Sequence, residues 1–426
     1  MVGVKKRYSY RAYPTPGQER SLARLFGCVR VVFNDAVAAQ RAAYETTGKS
    51  ISGSALQSLV VAQAKKTDGR AWLAEVSTVP LQQAVRDADK ALRSFFESVS
   101  GHRKGRRVSP PRFKNKHARQ AARFARNGFA GVRETTHGVG FVRLAKIGDV
   151  RFALSRALPS EPSSVTITRE PDGSYWLSFV VEVEADPAPV AHPGRVAALD
   201  VGLTDFASIV YDDGTREKIA NPRHLRAAKK RLTRAARALA RKERGSARRE
   251  VAKRKVAREH RRVRQARLDF HHQLSTRLIR ENQAIVVEKL SLVGLARSGA
   301  KNAQGRGLRR GFADAGLGQF LALLEQKAHE HARDFVRVDP FWTSQTCSVC
   351  GVLDGPKPLN IRAWTCGGCA AHLDRDWNAA VNILVAAGLA ETLNGRGGDV
   401  RLRLAEAGPG EASTHRTDQA LSCLAA

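Results

Sequence analysis

Long apolar stretches are missing from this chain of 426 residues. No run approaches the roughly 20 apolar residues that a helix needs to cross a bilayer, which excludes a membrane-spanning protein. The segment after Met1 is basic and then polar and aromatic, so it lacks the apolar core of a secretory signal peptide. We therefore expect a soluble, intracellular protein with no membrane partner, in a compartment where thiols stay reduced.

Acidic residues are scarce relative to basic ones. The chain has 72 Lys and Arg against 40 Asp and Glu, a formal charge of +32, while its 42% hydrophobic content is typical of a globular protein. Such a chain repels itself unless a polyanion neutralises it, which favours nucleic acid as the partner. On charge alone, a basic protein associated with ribosomes or membranes is the alternative.

The basic excess is greatest between residues 223 and 267, where Glu243, Glu250 and Glu259 are the only acids. A charge run is commonly a solvated helix face. One so uneven in sign is better placed against phosphates, where the release of counterions favours binding.

Cysteine is also rare, with six in the chain, and four of them are closely spaced. They form two C-x2-C pairs separated by fifteen residues: Cys347, Cys350, Cys366 and Cys369. Each pair supplies two thiolates from one tight turn, and four thiolates complete the tetrahedral shell that Zn²⁺ favours. Because a filled shell leaves no open position, we predict a structural zinc ion.

The first half of the chain predicts a helical segment inserted between strands. An early strand stops at Pro14, and Thr15 with Gln18 forms a capping-box signature for a helix. Helical patterns continue to about residue 98, and short strands follow from about 124 to 184.

The second half predicts another domain after a Pro- and Ala-rich stretch. One apolar strand ends at Asp200, a long helical region covers about 222–281, and a second apolar strand ends at Glu288. Asp376 opens a helix just after the cysteines. A nuclease that holds two Mg²⁺ ions needs such carboxylates to converge. Any one of these acids alone is more commonly a cap or a surface charge, and periodicity leaves both interpretations open.

Three segments, one at each of these acids, resemble the motifs of RuvC-type nucleases: VAALDVGLTDF at 196–206, IVVEKL at 285–290 and DRDWNAAVNI at 374–383. Five others are similar to the TnpB family encoded by insertion sequences: TSQTCSVCG at 343–351, YRAYPT at 10–15, FGCVRVVFN at 26–34, PRFK at 111–114 and KIG at 146–148. The resemblance covers about residues 5–390. It implies an RNA-guided DNA endonuclease related to the small type V CRISPR effectors.

The resemblance implies that Asp200, Glu288 and Asp376 are the catalytic acids and hold Mg²⁺, with two ions in the site. One ion would activate a water for attack on the scissile phosphate, and the second would stabilise the leaving 3′ oxygen. Asp374 competes for the third place. We prefer Asp376 because it directly precedes the segment that matches the family's x-Asn-Ala-Ala.

The architecture that the resemblance implies is a multidomain α/β protein with a β-barrel. Its predicted parts are a wedge β-barrel domain (1–14 and 117–193), a helical recognition domain inserted into it (15–116), an RNase H-like RuvC nuclease domain (194–343 and 373–390), a four-cysteine zinc-ribbon insert that binds the target nucleic acid (344–372) and a disordered tail (391–426).

The partners that the resemblance implies are a guide RNA from the transposon end and double-stranded target DNA. Base pairing with the guide would select the target, and the protein would read only a short flanking motif. We expect a monomeric ribonucleoprotein in a prokaryotic cytoplasm or nucleoid. The alternatives are a guide-dependent DNA-binding protein that does not cut, a small type V CRISPR effector and a strand-transfer transposase.

Overall fold

The computed structural model describes residues 3–103, 105–136, 138–184, 189–289, 303–340, 343–358 and 361–388. The chain divides into two compact units: Met1–Ala185 with Lys229–Arg262, and Asp186–Ala228 with Val263–Ala426. The predicted tail, 391–426, lies outside the described residues. No helix among the described residues has the length and apolar character that a membrane span requires.

The helices of the first unit follow its first strand, β1 (Gly3–Tyr13). They are α1 (Pro16–Thr47), α2 (Gly53–Gln57) and α3 (Thr78–Val99), with a π-helical turn at Ser58–Gln63 and 3₁₀ turns at Ala64–Lys66 and Ala71–Glu75. The predicted capping box at the start of α1 is confirmed. The Thr15 hydroxyl accepts from the Gln18 backbone N–H at 3.3 Å, and the Gln18 side chain accepts from the Thr15 N–H at 3.0 Å.

The first unit also contains a seven-stranded antiparallel sheet, together with residues 229–262 from two later helices. Its later strands are β2 (Gln120–Ala125), β3 (Phe129–Thr136), β4 (Val139–Leu144), β5 (Gly148–Ala153), β6 (Ser164–Arg169) and β7 (Tyr175–Glu184). The order is β2-β6-β7-β1-β5-β4-β3, so β1 is the central strand and the helices interrupt the sheet in sequence. The edge strands β2 and β3 are not paired with each other in the described residues, and the sheet is an open half-barrel.

Buried and more exposed residues alternate along the strands, so this sheet has one buried face. Tyr10, Phe152 and Phe179 lie on that face with ring centroids 5.4–5.8 Å apart. Gly140 lies opposite Phe152 in the β4–β5 register. A Cβ built at Gly140 would fall 2.6 Å from the Phe152 ring, so the absence of a side chain lets the ring lie over the strand.

The second unit is built on a five-stranded mixed sheet. Its strands are β8 (Val196–Val201), β9 (Asp205–Tyr211), β10 (Arg216–Ala220), β11 (Ala284–Glu288) and β12 (Asp334–Val338). The order is β10-β9-β8-β11-β12, with β8, β11 and β12 parallel to one another. A two-stranded sheet follows, made of β13 (Ala363–Thr365) and β14 (His372–Asp374).

The later helices are α4 (His224–Ala240), α5 (Ala247–Glu281), α6 (Ala303–Ala315), α7 (Leu317–Glu330) and α8 (Arg375–Ala386). The prediction of one continuous helical region over 222–281 is wrong at residues 241–246. Gly245 has a φ of 88° there, a conformation that favours glycine. The Arg249 guanidinium donates to the carbonyls of Leu239 and Lys242, which satisfies the end of α4.

Both faces of β8 and β11 are buried, as their continuous apolar runs predict. On one face Leu199 and Val287 pack with residues of α5 and α7, including Leu278 and Phe320. On the other face Ala198 and Val286 pack with residues of α8. The two strands are therefore fixed in three layers, and their carboxyl ends lie at one edge of the sheet.

We predict that Gly140→Ala lowers the free energy of unfolding by about 1–3 kcal/mol, because the added methyl group clashes with the buried Phe152 ring. Gly131→Ala is the matched control in the same sheet, since a Cβ at Gly131 meets nothing within 4 Å. Urea unfolding monitored by circular dichroism measures both variants. Equal stability of the two would contradict the packing described for Phe152.

Candidate active site and metal centre

Two of the predicted acids lie side by side at the ends of parallel strands. Leu199 of β8 pairs with Val287 of β11, and both point into the same apolar cluster. The residue after each, Asp200 and Glu288, therefore points to the opposite face. That face is the one covered by α8, whose first turn carries Asp376. The fold thus brings the three predicted acids to one edge of the sheet.

The electrostatics of Asp200 reflect this convergence. Burial, and then the negative charges of Asp376 and Glu288, raise the pKa of Asp200 to about 7, while Arg375 and Arg362 act in the opposite direction. Like charges held together in a partly buried site disfavour ionisation of one another. A divalent cation would relieve this repulsion, and carboxylate oxygens are the ligands that Mg²⁺ prefers. The chemistry of these donors therefore suits Mg²⁺, while among the described residues only the four cysteine sulfurs form a metal-sized cluster, within 4.8 Å of one another.

Glu288 is held by a hydroxyl group. Burial raises its pKa, and the hydrogen bond from the Thr343 side chain to Glu288 Oε1, 3.0 Å long, acts against that shift. Thr343 is itself buried and begins the segment that leads to the first cysteine pair.

Asp376 has an arginine partner that the sequence did not point to. Arg362 Nη1 lies 3.2 Å from Asp376 Oδ1, and its Nη2 donates to the hydroxyl of Thr204, just after β8. Arg362 lies between the two cysteine pairs and has no spacing signal of its own. Its role depends on where the β13–β14 hairpin places it.

The competing acid, Asp374, is used differently. It caps α8 by accepting from the backbone N–H groups of Asp376 and Trp377, and it forms a 2.7 Å ion pair with Lys218. Burial acts to raise the pKa of Asp374, but the hydrogen bonds from Lys218 and the helix backbone outweigh it, and the pKa lies below its ordinary value. Asp374 is thus already neutralised by a lysine, and the charge that acts on Asp200 is that of Asp376.

The four cysteines converge as their spacing predicts. Their sulfur atoms lie within 4.8 Å of one another, with 3.8 Å between Cys347 and Cys369 and 3.7 Å between Cys350 and Cys366. Four sulfurs at about 2.3 Å from a central Zn²⁺ lie about 3.8 Å apart, so the arrangement fits a tetrahedral zinc ion. Backbone N–H groups of Cys369 and then Gly368 lower the pKa of Cys366 to about 7, whereas the pKa values of the other three thiols lie above their ordinary value.

Two asparagines connect this cluster to the helix that carries Asp376. The buried Asn378 accepts from the N–H of Ser348, inside the first cysteine turn, at 2.8 Å. Asn378 and Asn382 both donate to the carbonyl of Thr346 at 2.8 Å. The turn that carries Cys347 is therefore fixed directly to α8.

Three segments of the chain match known families. Residues 178–299 match the OrfB_IS605 family, described as "Probable transposase", and residues 318–383 match the "Cas12f1-like, TNB domain". Residues 1–49 match a family described as "Helix-turn-helix domain". In this structure the described residues of that segment, 3–49, include β1 and the whole of the long helix α1.

A protein of Streptomyces pristinaespiralis with the provisional name RNA-guided DNA endonuclease is 38% identical over 404 residues, covering 93% of this chain and 92% of that protein. The chain belongs to the TnpB family. The Escherichia coli K12 member InsQ, which carries the same provisional name, is 28% identical and covers 90% of this chain and 93% of its own.

A solved structure also shares the fold of this TnpB protein. The Cas12f1 chain of a complex with sgRNA and target DNA aligns with a TM-score of 0.58 at 12% identity. The alignment covers 89% of this chain and 98% of that one.

The opposite pKa shifts of Asp200 and Asp374 predict opposite effects on stability. The folded-state pKa of Asp200 is above its ordinary value of 3.8, so its ionisation destabilises the fold as pH rises through about 7. In buffer free of Mg²⁺ and Mn²⁺, Asp200→Asn should stabilise the protein at pH 8 by on the order of 2 kcal/mol and have little effect below pH about 4.

Asp374→Asn is the control of opposite sign, because the pKa of Asp374 is lowered and its charge stabilises the fold at pH 8. Urea unfolding at several pH values measures both variants. A loss of stability for Asp200→Asn at pH 8 would contradict the repulsion described above.

We predict that Cys347→Ser lowers the zinc content from about one ion per chain towards zero, because the shell loses a thiolate. Cys28→Ser should leave zinc unchanged, since Cys28 is buried in the apolar core of the first unit. Elemental analysis of the purified proteins by mass spectrometry measures this. Full zinc content in Cys347→Ser would contradict the four-thiolate site.

Proposed function

We propose that the chain is an RNA-guided endonuclease that hydrolyses phosphodiester bonds of target DNA. Its catalytic acids in this proposal are Asp200, Glu288 and Asp376. The observation that carries the proposal is the convergence of these three carboxylates, from β8, β11 and α8, in a chain of the TnpB family. The provisional name shared by its relatives and the guide- and target-bound state of the Cas12f1 structure support the same activity.

The chemistry follows from the donor set. Bound Mg²⁺, two ions in this proposal, would supply Lewis acidity, an activated water and stabilisation of the leaving 3′ oxygen. The three carboxylates would hold the cations, and the Thr343 hydroxyl donates a hydrogen bond that orients Glu288. The parallel strands fix the separation between Asp200 and Glu288, and the three-layer packing keeps the carboxylates in place without rearrangement.

In this proposal Arg362, the partner of Asp376, also contacts the DNA. Its guanidinium bonds both Asp376 and Thr204, so it bridges α8 and the loop after β8 at the edge where a phosphate would lie. The Arg362 guanidinium could also donate to a phosphate oxygen at this edge, and arginine suits that acceptor because of its planar fork. Arg362 would then position the DNA strand.

The domain layout is part of the proposal. The sheet of the first unit would be the wedge domain and α1–α3 the recognition domain. Residues 194–343 and 373–390, which include the five-stranded sheet and α8, would be the RuvC domain, and residues 344–372 its zinc-containing insert. In this layout a zinc ion held by the cysteines would brace α8 through Asn378 and so support Asp376. The protein would act as a monomeric ribonucleoprotein.

The guide RNA would lie along the basic helices α4 and α5. Arg231 and Arg262 are paired with Glu259, and Arg261 is paired with the buried Asp172 at 2.7 Å. These three arginines already have carboxylate partners within the protein. Other basic residues of α4 are exposed and repeat at helical spacing on one face: Lys230, Arg234 and Arg237. We infer that this face binds RNA phosphates.

The proposal predicts that Asp200→Ala reduces guided cleavage of a plasmid in Mg²⁺ by on the order of a thousandfold or more, with guide RNA affinity unchanged. The control is Asp334→Ala, which removes an exposed acid at the amino-terminal end of β12. It should cut at the wild-type rate. Cleavage that survives in Asp200→Ala would rule out this active site.

The triple change Lys230→Gln, Arg234→Gln and Arg237→Gln should weaken guide RNA binding. It should also reduce the slope of log affinity against log salt by about 2–3, because each lost phosphate contact removes released counterions. Filter binding at several salt concentrations measures the slope.

The control carries the same charge change on α1 and α3, at the exposed Arg20, Arg86 and Lys90. An equal slope in the two triple variants would show that only total charge matters, and would contradict the assigned face.

A further inference from the structure

The exposed face of the seven-stranded sheet carries a row of alternating aromatic and arginine side chains. Across neighbouring strands, Phe141 of β4 pairs with Arg151 of β5, and Arg151 pairs with Tyr13 of β1. Arg11 lies two residues before Tyr13 on β1, and it pairs with Trp176 of β7. Directly paired residues, and residues two apart in a strand, share a face. All five side chains therefore lie on the face opposite the Phe152 core.

Four of these five residues are linked by cation–π interactions, and we call the five together the stacking row. The Arg11 guanidinium carbon lies 5.7 Å from the Tyr13 ring centroid and 5.8 Å from that of Trp176. The Arg151 guanidinium carbon lies 6.0 Å from the Tyr13 ring centroid. The Tyr13 ring has two arginine neighbours and is still 51% exposed, so much of it is accessible to a ligand.

Hydroxyl groups lie beside the row. On the same face of the sheet, the next pair of β1 and β7 after Arg11 and Trp176 is Ser9 and Ser178. Their side chains share a 3.3 Å hydrogen bond. Arg7 follows on the same face and is exposed. Tyr13 and Arg151 are exposed, whereas Phe141, Arg11 and Trp176 are half-buried and the Arg11 Nη1 atom is fully buried. Tyr13 and Arg151 are therefore the most accessible part of a row that spans four strands.

We propose that the stacking row binds an unpaired segment of RNA. The rings present flat faces for unpaired bases, and the interleaved arginines are complementary to the phosphates. The serine hydroxyls suit the ribose 2′-OH, which distinguishes RNA from DNA. A base-paired duplex would hide the base faces that the rings need. The identity of the strand, a single-stranded part of the guide RNA, rests on the proposed function, but the binding itself does not.

The test compares a fluorescent ten-residue oligouridylate with the same ribose-phosphate backbone lacking bases, using fluorescence anisotropy and the full chain freed of bound nucleic acid. A salt concentration of about 0.5 M suppresses the contribution of the basic helices. Tyr13→Ala should weaken binding of the oligouridylate by about tenfold and leave the abasic probe unchanged. Tyr13→Trp, which keeps a flat ring, should bind like the wild type.

Tyr44→Ala is the matched control, because Tyr44 is also 51% exposed but lies on α1, away from the stacking row. It should bind both probes like the wild type. Unchanged oligouridylate affinity in Tyr13→Ala, or an equal loss for the abasic probe, would overturn the proposal. Equally tight binding of the corresponding oligodeoxythymidylate would overturn the assignment to RNA.

The binding and cleavage results together also distinguish a failure of the stacking row from a failure of the proposed function. A wild-type protein that binds oligouridylate through Tyr13 but does not cut guided DNA would refute the endonuclease proposal and leave the stacking row in place. A protein that cuts, with a Tyr13→Ala variant that binds RNA normally, would refute the stacking row alone.

Discussion

Burial of Asp200 beside two further carboxylates is the constraint on which the candidate site of the second unit depends. Asp200 and Glu288 follow paired residues on parallel strands and α8 carries Asp376, so burial first, and then the charges of Asp376 and Glu288, raise the pKa of Asp200 to about 7. A fold bears such a cost only where the surroundings hold the groups rigidly. Apolar packing on both faces of β8 and β11 provides that rigidity. The same packing that buries the strands therefore creates the charge density that a divalent cation requires.

Hydrogen bonds connect the cysteine cluster to the acids. Asn378 ties the first cysteine turn to α8, Thr343 at the start of the same segment donates to Glu288, and Arg362 within it contacts Asp376. On the other side of α8, Lys218 neutralises the helix-capping Asp374 and separates its charge from the site. A four-cysteine segment placed between the second and third acids thus contacts both of them. In the proposed nuclease, a zinc ion held by these cysteines would therefore brace the segment that contacts both acids.

Sequence reasoning succeeded where local chemistry decides the structure. The Thr15–Gln18 capping box, the buried strands that end in acids and the spacing of the cysteines all follow from short-range rules. The resemblance to TnpB predicted that the three acids converge, a point that the hydrophobic periodicity left open. The break between α4 and α5 was missed because arginine and alanine favour helix throughout, and only Gly245 marks it. Arg362 and Lys218 were missed because their partners are more than ten residues away and depend on tertiary placement.

Anomalous diffraction from Mn²⁺ in crystals of the complex with guide RNA and an uncleavable phosphorothioate target is the most direct measurement of the central claim. Because Mn²⁺ takes the same oxygen ligands as Mg²⁺, its anomalous signal marks the cation positions. The account predicts Mn²⁺ peaks among the carboxylate oxygens of Asp200, Glu288 and Asp376. Peaks at Asp374 instead, with none among the three converging acids, would contradict it.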